Sequence, residues 1–128
     1  MKFQHIGVIG YGEVGRIFSA GLKAQVASIR VWDLKFEVPE HRDAALVHAN
    51  AAGVMASSSV AEVCGQADVL ISAVTASNTL AVAQFLQQHP KVQWVNYAGL
   101  EGNADYALAQ QYLGGKASGL LTFGVKSA

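Results

Sequence analysis

Three glycines and one acid carry the first chemistry that this sequence offers. Gly10-Tyr11-Gly12-Glu13-Val14-Gly15 has the spacing G-x-G-x-x-G. Such a turn suits a diphosphate. Gly10 permits a tight exit from a strand, Gly12 leaves room for phosphate oxygens against the backbone, and Gly15 lets the following helix pack closely. The start of that helix adds free N–H groups and the positive end of its dipole. Asp33 stands 18 residues beyond the third glycine, near the distance at which an acid accepts the ribose hydroxyls of an adenosine. A carboxylate there repels a 2′-phosphate, so NAD is expected over NADP. Lys35 softens that preference, since its ammonium can reach a phosphate. Glu13 points outward from the helix start, where a carboxylate suits the dipole but sits poorly beside phosphates. The bland alternative is a glycine-rich turn that binds nothing, because the motif alone is weak in a chain with 13 glycines.

The elements needed to position these residues follow from hydrophobic periodicity. Ile6 to Ile9 is a short apolar run and predicts a buried strand. From Glu13 the period becomes helical, with Val14, Ile17, Phe18, Gly21 and Leu22 on one face,. Ser28 to Asp33 predicts a second strand. Leu34 to Asp43 is charged, contains Pro39 and begins as a loop. Ala44 to Ala52 predicts a short helix, and Gly53 to Ala56 a brief third strand. Ser59-Val60-Ala61-Glu62 has the form of a capping box, so a helix should start there. Asp68 to Val74 reads as a central strand covered on both faces. A helix should run from the Thr75, Ser77 and Asn78 caps to His89-Pro90,. Val92 to Tyr97 predicts a fifth strand, Asp105 to Leu113 a helix ended by Gly114-Gly115, and Leu120 to Val125 a last strand,. Strands alternating with helices imply parallel pairing. The expected fold is a three-layer α/β domain with a mostly parallel sheet of about six strands.

Composition narrows the function classes. The 128 residues fit one domain,. At 52% hydrophobic and 14% charged the chain is too apolar for intrinsic disorder,. Nine basic residues balance nine acidic ones, so no surplus exists to neutralise a nucleic-acid backbone. The single cysteine, Cys64, cannot form an internal disulfide. This fits a cytoplasmic setting. No apolar run reaches the roughly 18–20 residues of a membrane span, and the first residues do not resemble a signal peptide. Other side chains read as structural. His5, His41, His48 and His89 lack metal-ligand spacing, although His41 and His48 can share a helical face,. Cys64 reads as a small buried hydrophobe, Ser57-Ser58-Ser59 as a turn and cap, and Trp32 and Trp94 as packing residues,.

Residues 3 to about 96 resemble the N-terminal, Rossmann-like domain of the β-hydroxyacid dehydrogenases, which include phosphogluconate, hydroxyisobutyrate and threonate dehydrogenases. The resemblance rests on Ile6 to Gly15, Val31-Trp32-Asp33, Ala52-Gly53-Val54 with Ser58 to Val63, and Ala67 to Thr75. It implies NAD(P) binding, with Val74 and Thr75 along the nicotinamide ribose and Asn96 beneath the nicotinamide. After Asn96 the chain departs. Tyr97-Ala98-Gly99-Leu100 replaces the family's serine-rich turn, and Lys116 and Lys126 do not match its catalytic lysine motif. No catalytic residue is therefore assigned, and the family's helical catalytic domain is expected to be missing. Residues 97 to about 126 instead resemble a C-terminal piece of O-acetylhomoserine sulfhydrylases, which are pyridoxal-phosphate enzymes. Their Schiff-base lysine and phosphate-binding residues lie elsewhere in that family. The chain thus reads as a chimera joined near Trp94 to Tyr97, whose last strand, helix and strand complete one sheet. Three readings follow: a dinucleotide-binding domain without catalysis, a structural chimera with a vestigial pocket, or a dehydrogenase completed by another chain. A homodimer or higher homo-oligomer is expected, because a neutral surface with uncovered apolar patches resists association poorly.

Overall fold

The computed structural model describes residues 3–114, 117 and 121–126. The chain divides into two compact units, residues 1–73 and 74–128.

The first unit is built on a parallel sheet. It comprises β1 (His5–Ile9), α1 (Glu13–Leu22), β2 (Ser28–Trp32), α2 (Pro39–Ala51), β3 (Met55–Ala56), α3 (Val60–Gln66) and β4 (Val69–Ser72). The strands lie in the order β3-β2-β1-β4, all parallel. Ile6, Val8, Ile29 and Val31 fill the core with Tyr11, Phe36, Ala45, Ala49 and Val54. Burying such side chains stabilises the unit by roughly 1.5–3 kcal/mol each relative to exposure. Two expectations are corrected in this unit. The parallel sheet has four strands, not about six. β4, expected at the centre, is an end strand paired only with β1, and all its residues are half-buried.

Helix placement also departs from the pattern in two places. α2 begins five residues earlier than its alanine run, at Pro39. Proline is pre-organised for the first helical position, where its missing N–H is no loss. A short 3-10 turn, Leu34–Phe36, fills part of the expected loop. α1 has the expected bounds but not the expected orientation. Gly15 and Ser19 face inward, while Val14, Ile17 and Phe18 are 53%, 65% and 45% exposed. A Cβ on Gly15 would collide with the carbonyl of Gly10. That close approach fixes the rotation of the helix and turns Gly15 and Ser19 to the sheet, and of the expected apolar stripe only Leu22 packs against the core.

The second unit comprises α4 (Ala76–Gln88), β5 (Val92–Asn96), α5 (Tyr106–Leu113) and β6 (Thr122–Val125). β5 and β6 pair antiparallel, Asn96 opposite Thr122 and Val95 opposite Phe123, in a sheet of their own. The expected parallel extension of the first sheet is therefore absent. The reason is that β5 pairs along its length with a strand running the other way. Ala83 of α4, Tyr97, Leu100 and Ala117 form a small core, and the Tyr97 hydroxyl donates to the Ala117 carbonyl at 3.4 Å. Gly114 closes α5 in the left-handed conformation, φ 58°. Gly115, Lys116 and Leu120 lie outside the described residues.

Candidate functional site

The glycine turn sits between β1 and α1, at the C-terminal end of the parallel strands, where open α/β sheets take their ligands,. Gly10 has φ 96°, and its N–H donates to the Trp32 carbonyl at 2.8 Å. Gly15 is required by its contact with Gly10. Gly12 is different. Its φ of −84° is open to any residue, and a Cβ there would meet nothing within 4 Å. Neither steric room nor backbone conformation therefore demands glycine here; as the N-cap of α1, Gly12 is favoured over apolar residues but not over Ser, Asp or Asn,. The first helical hydrogen bond runs from the Arg16 N–H to the Gly12 carbonyl at 3.0 Å. The N–H groups ahead of it are those that every helix start leaves without intrahelical partners.

Asp33 directly follows β2 beside this turn. Its Oδ2 accepts from the Tyr11 N–H at 2.6 Å, and its Oδ1 accepts from the Lys35 N–H at 2.9 Å. Gly10, Tyr11, Gly12, Gly15 and Asp33 are thus brought together. Glu13 and Val14 are exposed at the helix start. Lys35 is exposed on the 3-10 turn. Arg42 is tied down, donating from Nε to the Phe36 carbonyl at 2.5 Å.

Tyr11 contributes its backbone to the turn and its side chain to the core. The ring is 1% exposed, tilted against Phe36 at 6.2 Å, and edge-on to His48 at 5.6 Å. Its hydroxyl lies 3.0 Å from His48 Nδ1. Burial raises the phenol pKa above its usual value, and the nearby Arg16 charge works against that. The Arg16 guanidinium stands 5.4 Å over the ring. No role was expected for Arg16, and His48 was expected only to share a helical face with His41. Arg16 had a legible signal, since it follows the third glycine within the first turn of the helix. His48 had none, because its pairing with Tyr11 depends on α2 crossing behind the turn.

Val74, Thr75 and Asn96 lie in the second unit. Val74 is half-buried, and Thr75 is the N-cap of α4, where its Oγ1 lies 2.9 Å from Ser77 Oγ and accepts from Asn78 Nδ2 at 3.2 Å. Asn96 ends β5, and its Oδ1 accepts from Asn103 Nδ2 at 2.9 Å. Among the described residues no group of three or more His, Cys, Asp or Glu side chains is placed to hold a metal. Cys64 is buried. Among the described residues no helix is long and apolar enough to cross a membrane.

Comparison with known proteins divides the chain. The family model "Cys/Met metabolism PLP-dependent enzyme" matches residues 70–128. The O-acetyl-L-homoserine sulfhydrylase of Leptospira meyeri is 57% identical over 35 residues, 27% of this chain and 8% of that protein. O-acetyl-L-homoserine sulfhydrylase 1 of Thermus thermophilus is 47% identical over 49 residues, 38% of this chain and 12% of that protein. The homocysteine synthase of Schizosaccharomyces pombe is 45% identical over 49 residues, 38% of this chain and 11% of that protein. Among solved structures, a conserved hypothetical protein from Sinorhizobium meliloti superposes with a TM-score of 0.58 at 33% identity, over 62% of this chain and 27% of the other. The UDP-N-acetylglucosamine 3-dehydrogenase of Acidithiobacillus ferrooxidans superposes with a TM-score of 0.55 at 26% identity, over 70% of this chain and 28% of the other.

The sulfhydrylase-like match begins at residue 70, within β4, and not near residue 97. Val74, Thr75 and Asn96 thus fall inside it. Among the described residues none fits a Schiff-base role towards pyridoxal phosphate. A Schiff-base lysine must be desolvated or otherwise activated. Lys91 and Lys126, the described lysines of the second unit, are both exposed, and the Lys126 N–H donates to the Lys91 carbonyl at 2.9 Å. The chain therefore combines an α/β unit of dehydrogenase-like fold with a piece similar to the Cys/Met PLP-dependent enzymes.

Proposed function

We propose that the first unit binds a dinucleotide, NAD in preference to NADP, and that the chain is a natural or engineered recombinant carrying this module. The pyrophosphate lies over Gly12 and the start of α1, and the adenosine ribose lies beside Asp33. One observation supports this above the others. Gly12 is needed neither by backbone conformation nor by packing, and a ligand approaching the backbone supplies the missing reason. The dehydrogenase among the structural neighbours supports a nicotinamide-type cofactor. The family match from residue 70 supports the recombinant reading. No catalytic role is assigned to any residue. We also propose that the chain self-associates, because its charge is zero and α1 presents Val14, Ile17 and Phe18 to solvent.

Titration with NADH tests the reading through energy transfer from tryptophan, Trp32 being next to Asp33. Saturable transfer is expected, and its absence at millimolar ligand rejects the proposal. Gly12→Val should abolish transfer while leaving the circular dichroism spectrum unchanged, since the new side chain enters open space. Unchanged binding in that variant would mean that the turn is scaffold only. NAD should compete at least about tenfold better than NADP, because a carboxylate and a phosphate at about 4 Å repel by about 1 kcal/mol in water and more when partly buried. Asp33→Ser should shrink that ratio, whatever it does to the absolute affinities.

A further inference from the structure

The hydrogen bonds of Asp33 point to a second task for this residue, one that rests on the dinucleotide reading for its consequence but not for its geometry. We infer that Asp33 is a positioning residue for the phosphate turn: its carboxylate fastens the turn to the end of β2, independently of any ribose contact. Tyr11 lies between the last residue of β1 and the start of α1, so its N–H belongs to neither ladder. That N–H donates to Asp33 Oδ2 at 2.6 Å. The preceding N–H, of Gly10, donates to the Trp32 carbonyl. Two successive N–H groups of the turn are thus held by Trp32, the last residue of β2, through its backbone and by Asp33, the residue after it, through its side chain. The other oxygen, Oδ1, accepts from the Lys35 N–H at 2.9 Å and fixes the plane of the carboxylate.

This arrangement requires a carboxylate and not merely a polar side chain. Two N–H donors face two oxygens. An asparagine offers one oxygen and one NH2, so one backbone donor would face another donor. A carboxylate also has about four lone-pair sites. After accepting from Tyr11 and Lys35 it can still take a hydroxyl on each oxygen, so the clamp and the ribose contact are compatible. The phenol end of Tyr11 is held separately by His48 at 3.0 Å. The clamp therefore acts on the backbone at Tyr11 and Gly12, where phosphate oxygens would approach, and not on the ring.

The test uses the full chain and compares wild type with Asp33→Asn, and with Lys35→Ala as a control that keeps the backbone N–H. Three quantities are read by NMR: hydrogen exchange at the Tyr11 amide, exchange at the Val31 amide in the buried core, and the shifts of the Gly12 and Glu13 amides on titration with inorganic pyrophosphate, which has no ribose. NADH titration runs in parallel. For Asp33→Asn, Tyr11 exchange should rise about tenfold, as loss of a charge-assisted hydrogen bond implies, while Val31 keeps its protection. Pyrophosphate and NADH should both weaken. Lys35→Ala should leave Tyr11 exchange unchanged. If Asp33→Asn weakens NADH alone, with pyrophosphate binding and Tyr11 exchange as in wild type, Asp33 acts only through the ribose and the inference is overturned. Loss of protection at Val31 as well as Tyr11 would also overturn it, since Asp33 would then support the whole unit and not the turn. Should wild type bind neither ligand, the dinucleotide reading fails, and Tyr11 exchange alone decides whether the clamp exists.

Discussion

Replacing Gly15 by alanine would drive a methyl group into the Gly10 carbonyl. Overpacking of a close backbone contact costs roughly 1–3 kcal/mol, and the first turn of α1 must shift to relieve it. Chemical denaturation should therefore show Gly15→Ala destabilised by at least about 1 kcal/mol, and Gly12→Ala by less, since it loses only the preference of the N-cap for glycine over alanine,. Equal stabilities would mean that α1 does not approach the turn as closely as described. The two glycines look alike in the sequence and differ only in what surrounds them. The motif and Asp33 were legible because strand, turn, helix, strand and acid follow in order. The burial of Tyr11, its hydroxyl contact with His48 and the double acceptance at Asp33 were not. Each depends on residues that the fold brings together across 22 to 37 positions of sequence.

At the scale of the element, the start of α3 is the most local structure in the chain and was read directly from Ser59-Val60-Ala61-Glu62. Ser59 is the N-cap, and its Oγ accepts from the Glu62 N–H at 3.1 Å. Glu62 reaches back one residue further than the simple box requires. Its Oε2 accepts from the Ser58 N–H at 2.8 Å and from the Ser58 hydroxyl at 2.9 Å. These bonds hold the Glu62 pKa below its usual value, backbone first, then hydroxyl, with Arg30 adding a smaller pull at 3.4 Å. A lowered folded-state pKa stabilises the fold above the ordinary carboxylate range. That contribution is lost as pH falls through the range towards the lowered value. Amide protection in α3 should accordingly weaken below pH 4.5, and Glu62→Gln should flatten that dependence. A pH profile identical in Glu62→Gln and wild type would rule out this cap. Ser59→Ala should cost about 1 kcal/mol in denaturation. Longer-range features of the elements were less legible. The apolar run of β4 reads as central, yet nothing in a run of Val, Leu and Ile states how many neighbours the strand will find. The apolar stripe of α1 reads as inward, yet Gly15 sets a rotation that turns Val14, Ile17 and Phe18 outward and leaves only Leu22 against the core.

For the whole molecule, the overlap of the two likenesses is instructive. An apolar strand followed by Thr75, Ser77 and Asn78 as helix caps is grammar that any α/β protein can use, so residues 70–96 fit the dehydrogenase pattern while matching the PLP-enzyme family. The break between compact units at Ala73 and Val74 agrees with the start of that match far better than with residue 97. The exposed stripe of α1 leads to the last prediction. Val14, Ile17, Phe18 and Gly21 are spaced to lie along one face, and the space where a Gly21 side chain would stand is empty. Two antiparallel copies of α1 related by a two-fold axis between Ile17 and Phe18 would set Val14 of one copy against Gly21 of the other. Such a contact is self-complementary, as an isologous interface must be. Light scattering should give twice the chain mass. Ile17→Asp should halve it with no loss of helical signal, because Ile17 is 65% exposed and makes little contribution to the core. Ile17→Cys should cross-link under mild oxidation, since the native Cys64 is buried and cannot compete. A wild-type chain that stays monomeric at high concentration would exclude the interface. A dimer that survives Ile17→Asp would move it elsewhere, for which the exposed Leu108 and Tyr112 of α5 are the next surface to substitute.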